Sequence, residues 1–409
     1  MNILLSAYGC SPVLGSEPGV GWRWASILAQ HNQVTLLTHP FFEETIRAEL
    51  LMRPCPNLQV VYYEPLGLGV RRKKGSLNSR LYYMAWQVGA YWRARHLCKQ
   101  QRFTLAQHIT WGTFRFPSFL GFLDVPFVFG PVGGGERSPA RLLVSMPFKE
   151  RLRETLRNAY MACSGIDPLM RLGLRKANLI LCKTAETMAA LPLAAQAKAC
   201  IAQEIGAPAI LLPQAKQRPH GKVKLLYAGR LVGLKGIHFA LQALALARAR
   251  GVDASLEIIG DGPMETYLRR LASQLHIADH VEFRGFVPRD ILLGLYQKAD
   301  VFIFPSLHDS SGNVVLEALS RGLPVICLDL GGPKYFVNEG CAHIISTKSA
   351  DEEGVCIALA DAIQNLAFTP SLLETLSQGA IKQAQQLNWE NQVARTYKLI
   401  AGAGIGAAL

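Results

Sequence analysis

Short apolar runs recur along this chain, separated by polar turns and by longer stretches whose apolar residues repeat at helical spacing. Residues 2–8, 33–38, 57–63, 104–109, 126–130 and 178–182 read as buried strands, and 41–52 and 77–99 as helices. The pattern weakens through 191–220, which is rich in Ala, Gln and Pro. A more regular alternation begins at Lys222, with strands at 223–228, 255–259, 281–285, 301–304, 324–328 and 343–345 and amphipathic helices between them. Strands interleaved with helices of this length predict right-handed βαβ units and parallel sheets, an α/β class. The break divides the chain into a domain at 1–205, a linker at 206–221, a second domain at 222–387 and a last helical segment at 388–409. A length of 409 residues suits two or three domains, each with ample core.

The most informative connection follows the run at 300–304. The chain breaks at Pro305, passes the polar turn Asp309-Ser-Ser-Gly312, and becomes helical through Val314, Val315, Ala318 and Leu319. A Gly-containing turn that opens a helix presents unpaired backbone N–H groups and the positive end of the helix dipole. That is phosphate-binding chemistry, with Gly312, Asn313 and Val314 as donors. Glu317, about one turn in, is placed to accept two neighbouring ribose hydroxyls. An ordinary strand–turn–helix connection would account for the same residues. A second loop, Gly229-Arg230-Leu-Val-Gly-Leu-Lys235-Gly236, follows the strand at 223–228. Arg230 as a fork and Lys235 as a point charge suit a diphosphate, the plainer reading being solvated cations.

Three further places carry candidate residues. Gly15, Glu17 and Gly19 lie in a Gly-rich loop after the first strand, which lets backbone approach a ligand or lets a helix pack on the strand. Gly133, Gly134, Gly135 and Glu136 follow the strand at 126–130, at the end of a strand where open α/β sheets bind ligands. His108 closes the strand at 104–109, where a lone His is more often structural than catalytic.

These stretches carry a resemblance to the retaining nucleotide-sugar glycosyltransferases of family 4, of the bacterial polysaccharide-cluster type. Phe304-Pro-Ser through Glu317 resembles the family's E-x(7)-E pair, with Asp309 in place of the first acid. G-R-L-x-x-x-K-G at 229–236 is similar to the donor-phosphate motif at every defining position, and Gly260-Asp-Gly262-Pro263 to its accompanying G-x-G-P turn. Gly15-Ser-Glu17-Pro-Gly19-Val-Gly21-Trp22 resembles the Gly-rich loop of the first domain, whereas the usual I-x-N-G is replaced by Ala202-Gln-Glu-Ile-Gly-Ala. The resemblance implies the GT-B fold, two Rossmann-like domains with parallel sheets facing across a cleft. It implies an acceptor-side first domain, a donor-nucleotide second domain and a last helix crossing back to the first. It implies catalytic roles for His108, Asp309 and Glu317, and a base held near Phe286 and Val287. The implied reaction moves a hexose from a nucleotide-sugar donor to a glycan, lipid-linked or small acceptor. The configuration is retained, and donors aimed at the departing phosphate lower the barrier.

Composition narrows the alternatives. The formal net charge is +13, which leaves nucleic acid, anionic membranes and anionic substrates open, but no nucleic-acid module is recognisable. Nine scattered cysteines without a C-x-x-C pair fit reduced thiols. The opening residues lack a basic lead-in and read as a strand rather than a signal peptide, giving a cytoplasmic expectation. No D-x-D or H-E-x-x-H occurs, so the reaction is expected to need neither metal nor cofactor. The basic run 71–74 and the aromatic-basic helix 77–99 suit either a membrane interface or packing on the sheet, with Trp86, Tyr91 and Trp92 as headgroup-level rings. The run 149–157 alternates in sign and reads as a solvated helix face. A donor-hydrolysing GT-B epimerase and a non-catalytic sugar-nucleotide or glycan-binding protein are the competing functions.

Overall fold

The computed structural model describes residues 1–65, 77–163, 167–211 and 219–406; the basic run 71–74 and residues 212–218 of the expected linker lie outside them. The chain forms two compact units. One comprises Met1–Gly135, Ala162–Ile205 and Trp389–Leu409, the other Glu136–Met161 and Gly206–Asn388.

The first unit is built on strands β1 (Asn2–Ser6), β2 (Gln33–Thr38), β3 (Leu58–Tyr62), β4 (Leu105–His108), β5 (Phe127–Val132), β6 (Leu179–Cys182) and β7 (Ala199–Ile201), all parallel, in the order β3-β2-β1-β4-β5-β6-β7. Helices cover both faces, so central strands read as unbroken apolar runs rather than alternating ones; every residue of β6 is buried. The edge strand β7 was not foreseen, because its three half-buried residues are too few to show a period.

The second unit carries β8 (Lys222–Ala228), β9 (Asp253–Ile259), β10 (Val281–Gly285), β11 (Val301–Phe304), β12 (Val325–Leu328) and β13 (Ala342–Ile345), again all parallel, in the order β10-β9-β8-β11-β12-β13. Strand order reverses between β8 and β11. The loops leaving the C-terminal ends of those two strands therefore flank the switch point, where doubly wound sheets hold their ligands.

The helix Leu77–Gln100 corrects one expectation. Tyr83 and Trp86 are fully buried; Trp86 donates its indole N–H to the Tyr63 carbonyl at 3.0 Å and packs edge-on to Tyr8. Trp86 is thus a core residue of the first unit. Trp92 does face solvent, with the Arg95 guanidinium 5.5 Å from its ring centroid.

Candidate functional site

In the second unit, the loops after β8 and β11 are tied together. The first passes exposed Arg230, makes one tight turn at Gly233–Lys235, and enters the helix Ile237–Ala249 through Gly236. Gly236 has φ +64°, and a Cβ there would lie 2.0 Å from the Pro305 carbonyl oxygen, so only glycine fits. The Leu234 carbonyl accepts from the Leu307 N–H at 2.8 Å and from the Ser306 hydroxyl at 3.2 Å. This lacing brings the Lys235 ammonium onto the Asp309 carboxylate, with the side chains 17 % and 20 % exposed, and 5.0 Å from the Phe304 ring centroid. The other Asp309 oxygen accepts from the Ser311 N–H at 3.3 Å and shapes the turn. Behind it lies Gly331, with φ +66°, where a Cβ would sit 2.4 Å from the Asp309 carbonyl oxygen. The Gly331-Gly332 pair supports the turn from its own backbone.

Gly312, at φ +91°, opens the two-turn helix Asn313–Leu319, with Asn313 and Val314 half-buried at its start. Glu317 projects from it, one oxygen 3.3 Å from the Arg289 guanidinium and the other accepting from the Tyr296 hydroxyl at 3.4 Å. Burial raises the pKa of Glu317, and the charges of Arg289 and Arg321 and the Tyr296 bond recover only part of that shift. Phe286 is 78 % exposed and Val287 half-buried, just past β10. Arg230, Lys235, Asp309 and Glu317 thus sit on elements that border one switch point. Two cations, a row of turn amides and a carboxylate are the groups that a nucleoside diphosphate calls for.

Four contributors were not singled out from the sequence. Arg289 and Tyr296 come from the helix Arg289–Lys298, where Tyr296 reads as ordinary core. Glu154 and His308 form a buried pair: the Glu154 carboxylate accepts from His308 Nε2 at 2.8 Å and from the Ser138 hydroxyl at 3.0 Å. Burial alone would raise the pKa of Glu154, but the His308 bond and charge, with Ser138 and Arg157, hold it below the usual value. Glu154 lies far from His308 in sequence, and no spacing rule connects them.

Among the candidates expected in the first domain, His108, Gly19 and Gly135 are packed against their own chain. His108 is 1 % exposed; its Nδ1 meets the Ser6 hydroxyl at 3.0 Å and its Nε2 the Tyr83 hydroxyl at 2.9 Å and the Gln87 amide at 3.2 Å. Both ring nitrogens are occupied inside the core, which gives His108 no route to a ligand in this conformation. A Cβ on Gly135 would lie 2.3 Å from Thr187 Cα and one on Gly19 2.7 Å from the Leu14 carbonyl oxygen, so these glycines admit the protein's own backbone. Gly133 is buried, Gly134 half-buried and Gly15 exposed. Glu136 is buried and belongs to the second unit, where its carbonyl accepts from Arg157. Glu17 accepts from the Gly112 N–H at 2.9 Å at the first unit's own switch point, and burial raises its pKa against the pull of Lys183. Lys183 pairs with Glu204, which lies in the segment that replaces I-x-N-G. Among the described residues, no three His, Cys, Asp or Glu side chains gather as a metal site.

Burial depresses the pKa values of His108 and His238 from 6.5 to about 3. A depressed folded-state value means stability present above the unfolded value and lost as pH falls below it. Each buried imidazole should cost about 1.4 kcal/mol per pH unit below about 6.5. Melting temperature should therefore fall steadily from pH 6.5 to pH 5, and less steeply in His108→Gln; a flat wild-type profile would show that the rings are not held neutral.

Comparison with known proteins agrees with this geometry. Residues 211–383 match the family model described as glycosyl transferases group 1. A D-inositol 3-phosphate glycosyltransferase of Arthrobacter sp. (strain FB24) is 32 % identical over 184 residues, 44 % of this chain and 42 % of that protein. The chain's matches span less than half the length of the curated relatives it resembles. Among solved structures, sucrose-phosphate synthase from Thermosynechococcus elongatus superposes with TM-score 0.63 at 17 % identity, over 98 % of each chain. Anabaena HepE in complex with UDP superposes with TM-score 0.59 at 15 % identity, over 98 % of this chain and 100 % of that one. The chain has the fold of the GT-B glycosyltransferases, and its residues 211–383 carry the sequence pattern of glycosyl transferases group 1.

Proposed function

We propose that this protein is a retaining, metal-independent glycosyltransferase that moves a hexose from a nucleotide-sugar to a glycan, lipid-linked or small hydroxyl acceptor. The observation that carries the reading is the Lys235–Asp309 pair, laced across the switch point beside Arg230 and one helix away from Glu317. Arg230 and Lys235 neutralise the diphosphate as the anomeric bond breaks, aided by the turn amides of Gly312, Asn313 and Val314. Glu317 takes the ribose hydroxyls, and Phe286 and Val287 border the base. The acceptor hydroxyl attacks from the leaving-group face and gives its proton to the departing phosphate. Asp309 positions Lys235 and faces the sugar. His108 has no part in this reading. We place the protein in the cytoplasm, where the membrane face expected of 71–74 and Leu77–Gln100 rests on Trp92 rather than Trp86.

A saturation panel of UDP-, GDP- and other nucleotide-sugars should raise the melting temperature for one donor class, since a ligand at a hundredfold its Kd adds about 2.7 kcal/mol. Turnover of that donor should survive exhaustive EDTA treatment. Loss on chelation that Mg²⁺ or Mn²⁺ restores would contradict metal independence. The engagement of Asp309 in its own turn favours one second reading, a sugar-nucleotide-binding protein without catalysis. Asp309→Asn separates the two: a transferase loses turnover more than nucleotide affinity, whereas a binding protein shows no turnover to lose. Product analysis without acceptor separates transfer from donor hydrolysis.

A further inference from the structure

The helix Phe148–Ala162 is amphipathic in the inverse sense. Its inward side is polar apart from Met161: Glu150 accepts from the Gly233 N–H at 3.0 Å, Glu154 lies between His308 and Ser138, and Arg157 and Asn158 donate to the Glu136 and Ser138 carbonyls. The helix thereby braces both donor loops. Its outward side carries Phe148, Leu152, Leu156 and Tyr160, which are 67 %, 45 %, 61 % and 63 % exposed. Residues four apart fall on one stripe of a helix. Val144, 65 % exposed, extends the apolar surface ahead of it. Exposed Arg151 and Arg153 lie on opposite flanks of the stripe and exposed Lys149 beside it; both acids of the helix bond inward, Glu150 with its other oxygen 3.9 Å from the Arg153 guanidinium. A solvated helix face, as the sequence suggested, would carry the opposite pattern.

We propose that this outward face docks the protein on an anionic phospholipid surface. A contiguous apolar stripe in water is unfavourable and marks an interaction site. The charges identify what covers it. A second copy of the chain would bring this helix's cations against their own copies across a two-fold contact, with both acids of the helix already engaged within the protein. At an anionic bilayer the stripe enters the acyl boundary while Lys149, Arg151 and Arg153 reach the phosphates on either side. Among the described residues no single helix is long and apolar enough to cross a membrane, and this one, about 22 Å long, would lie in the interface plane.

The test is sedimentation of the full-length protein with phosphatidylcholine vesicles, with and without phosphatidylglycerol, at low and high salt. Wild type should bind the phosphatidylglycerol vesicles at low salt, and about tenfold less with salt or without the anionic lipid. The double variant Leu152→Glu/Leu156→Glu should lose that binding about tenfold while keeping its melting temperature, and Arg151→Gln/Arg153→Gln should lose part of it. Should the double variant melt early, Leu156→Gln alone must still weaken binding. Unchanged binding in these variants overturns the proposal. So does a wild type that ignores anionic vesicles, or one that light scattering shows to be a dimer dissolved by the double variant. A loss produced only by neutralising 71–74 would move the docking to the first unit and overturn it equally. No nucleotide enters the assay, so its failure and that of the donor reading are separate.

Discussion

Lys235→Ala should lower kcat/KM for the nucleotide-sugar about 10²- to 10³-fold, the usual loss when one preorganised donor to a developing oxyanion is removed. Two effects compound. The β-phosphate loses a point charge held in place by Asp309, and Asp309 itself, with 20 % of its side chain exposed, is left without its counter-ion. Lys235→Arg should recover part of the loss, because it restores charge but replaces a compact ammonium with a planar fork. Arg230→Ala should cost less, since Arg230 is exposed and its site less dry. A Lys235→Ala enzyme of normal kcat/KM would remove the diphosphate from this loop.

Glu317→Gln keeps the size and the hydrogen bond of Tyr296 but removes the charge that grips the ribose. Charge-assisted bonds of about 1.5–3 kcal/mol are at stake, so donor affinity should fall roughly 10- to 150-fold. A pH signature accompanies this. Because burial raises the Glu317 pKa above its ordinary 4.5, donor affinity in the wild type should weaken on acidification at a higher pH than an ordinary carboxylate would allow. The Gln variant should lack that limb. Equal Kd values and equal pH profiles would show that Glu317 serves only its pairing with Arg289.

Much of this site was legible because backbone chemistry announces itself locally. Gly229, Gly236 and Gly312 stand where strand turns into helix, and Arg230, Lys235, Asp309 and Glu317 lie within a few residues of them. The second unit's strands followed from its regular alternation. What stayed hidden depends on distant pairing. Glu154 meets His308 only after folding. Arg289 and Tyr296 reach Glu317 across two helices. Polarity can also mislead: the charges at 149–157 suggested solvation, yet Glu150 and Glu154 face inward because they bond to the protein. Its place at a strand end made a structural His108 the plainer reading and only the resemblance gave it a catalytic role; Ser6 and Tyr83 enclose it. Trp86 suited an interface and a packed face alike, because one period cannot say which face of a helix meets the sheet.

The diphosphate assignment is tested most directly by calorimetric titration of UDP and GDP, with uridine and guanosine as controls, into wild type and Arg230→Ala/Lys235→Ala. Wild type should bind one diphosphate with 1:1 stoichiometry and at least tenfold more tightly than its nucleoside. The double variant should lose about 10²-fold for the diphosphate and leave the nucleoside unchanged. Equal affinity of both proteins for the diphosphate, or no binding of either nucleotide to wild type, would contradict the assignment.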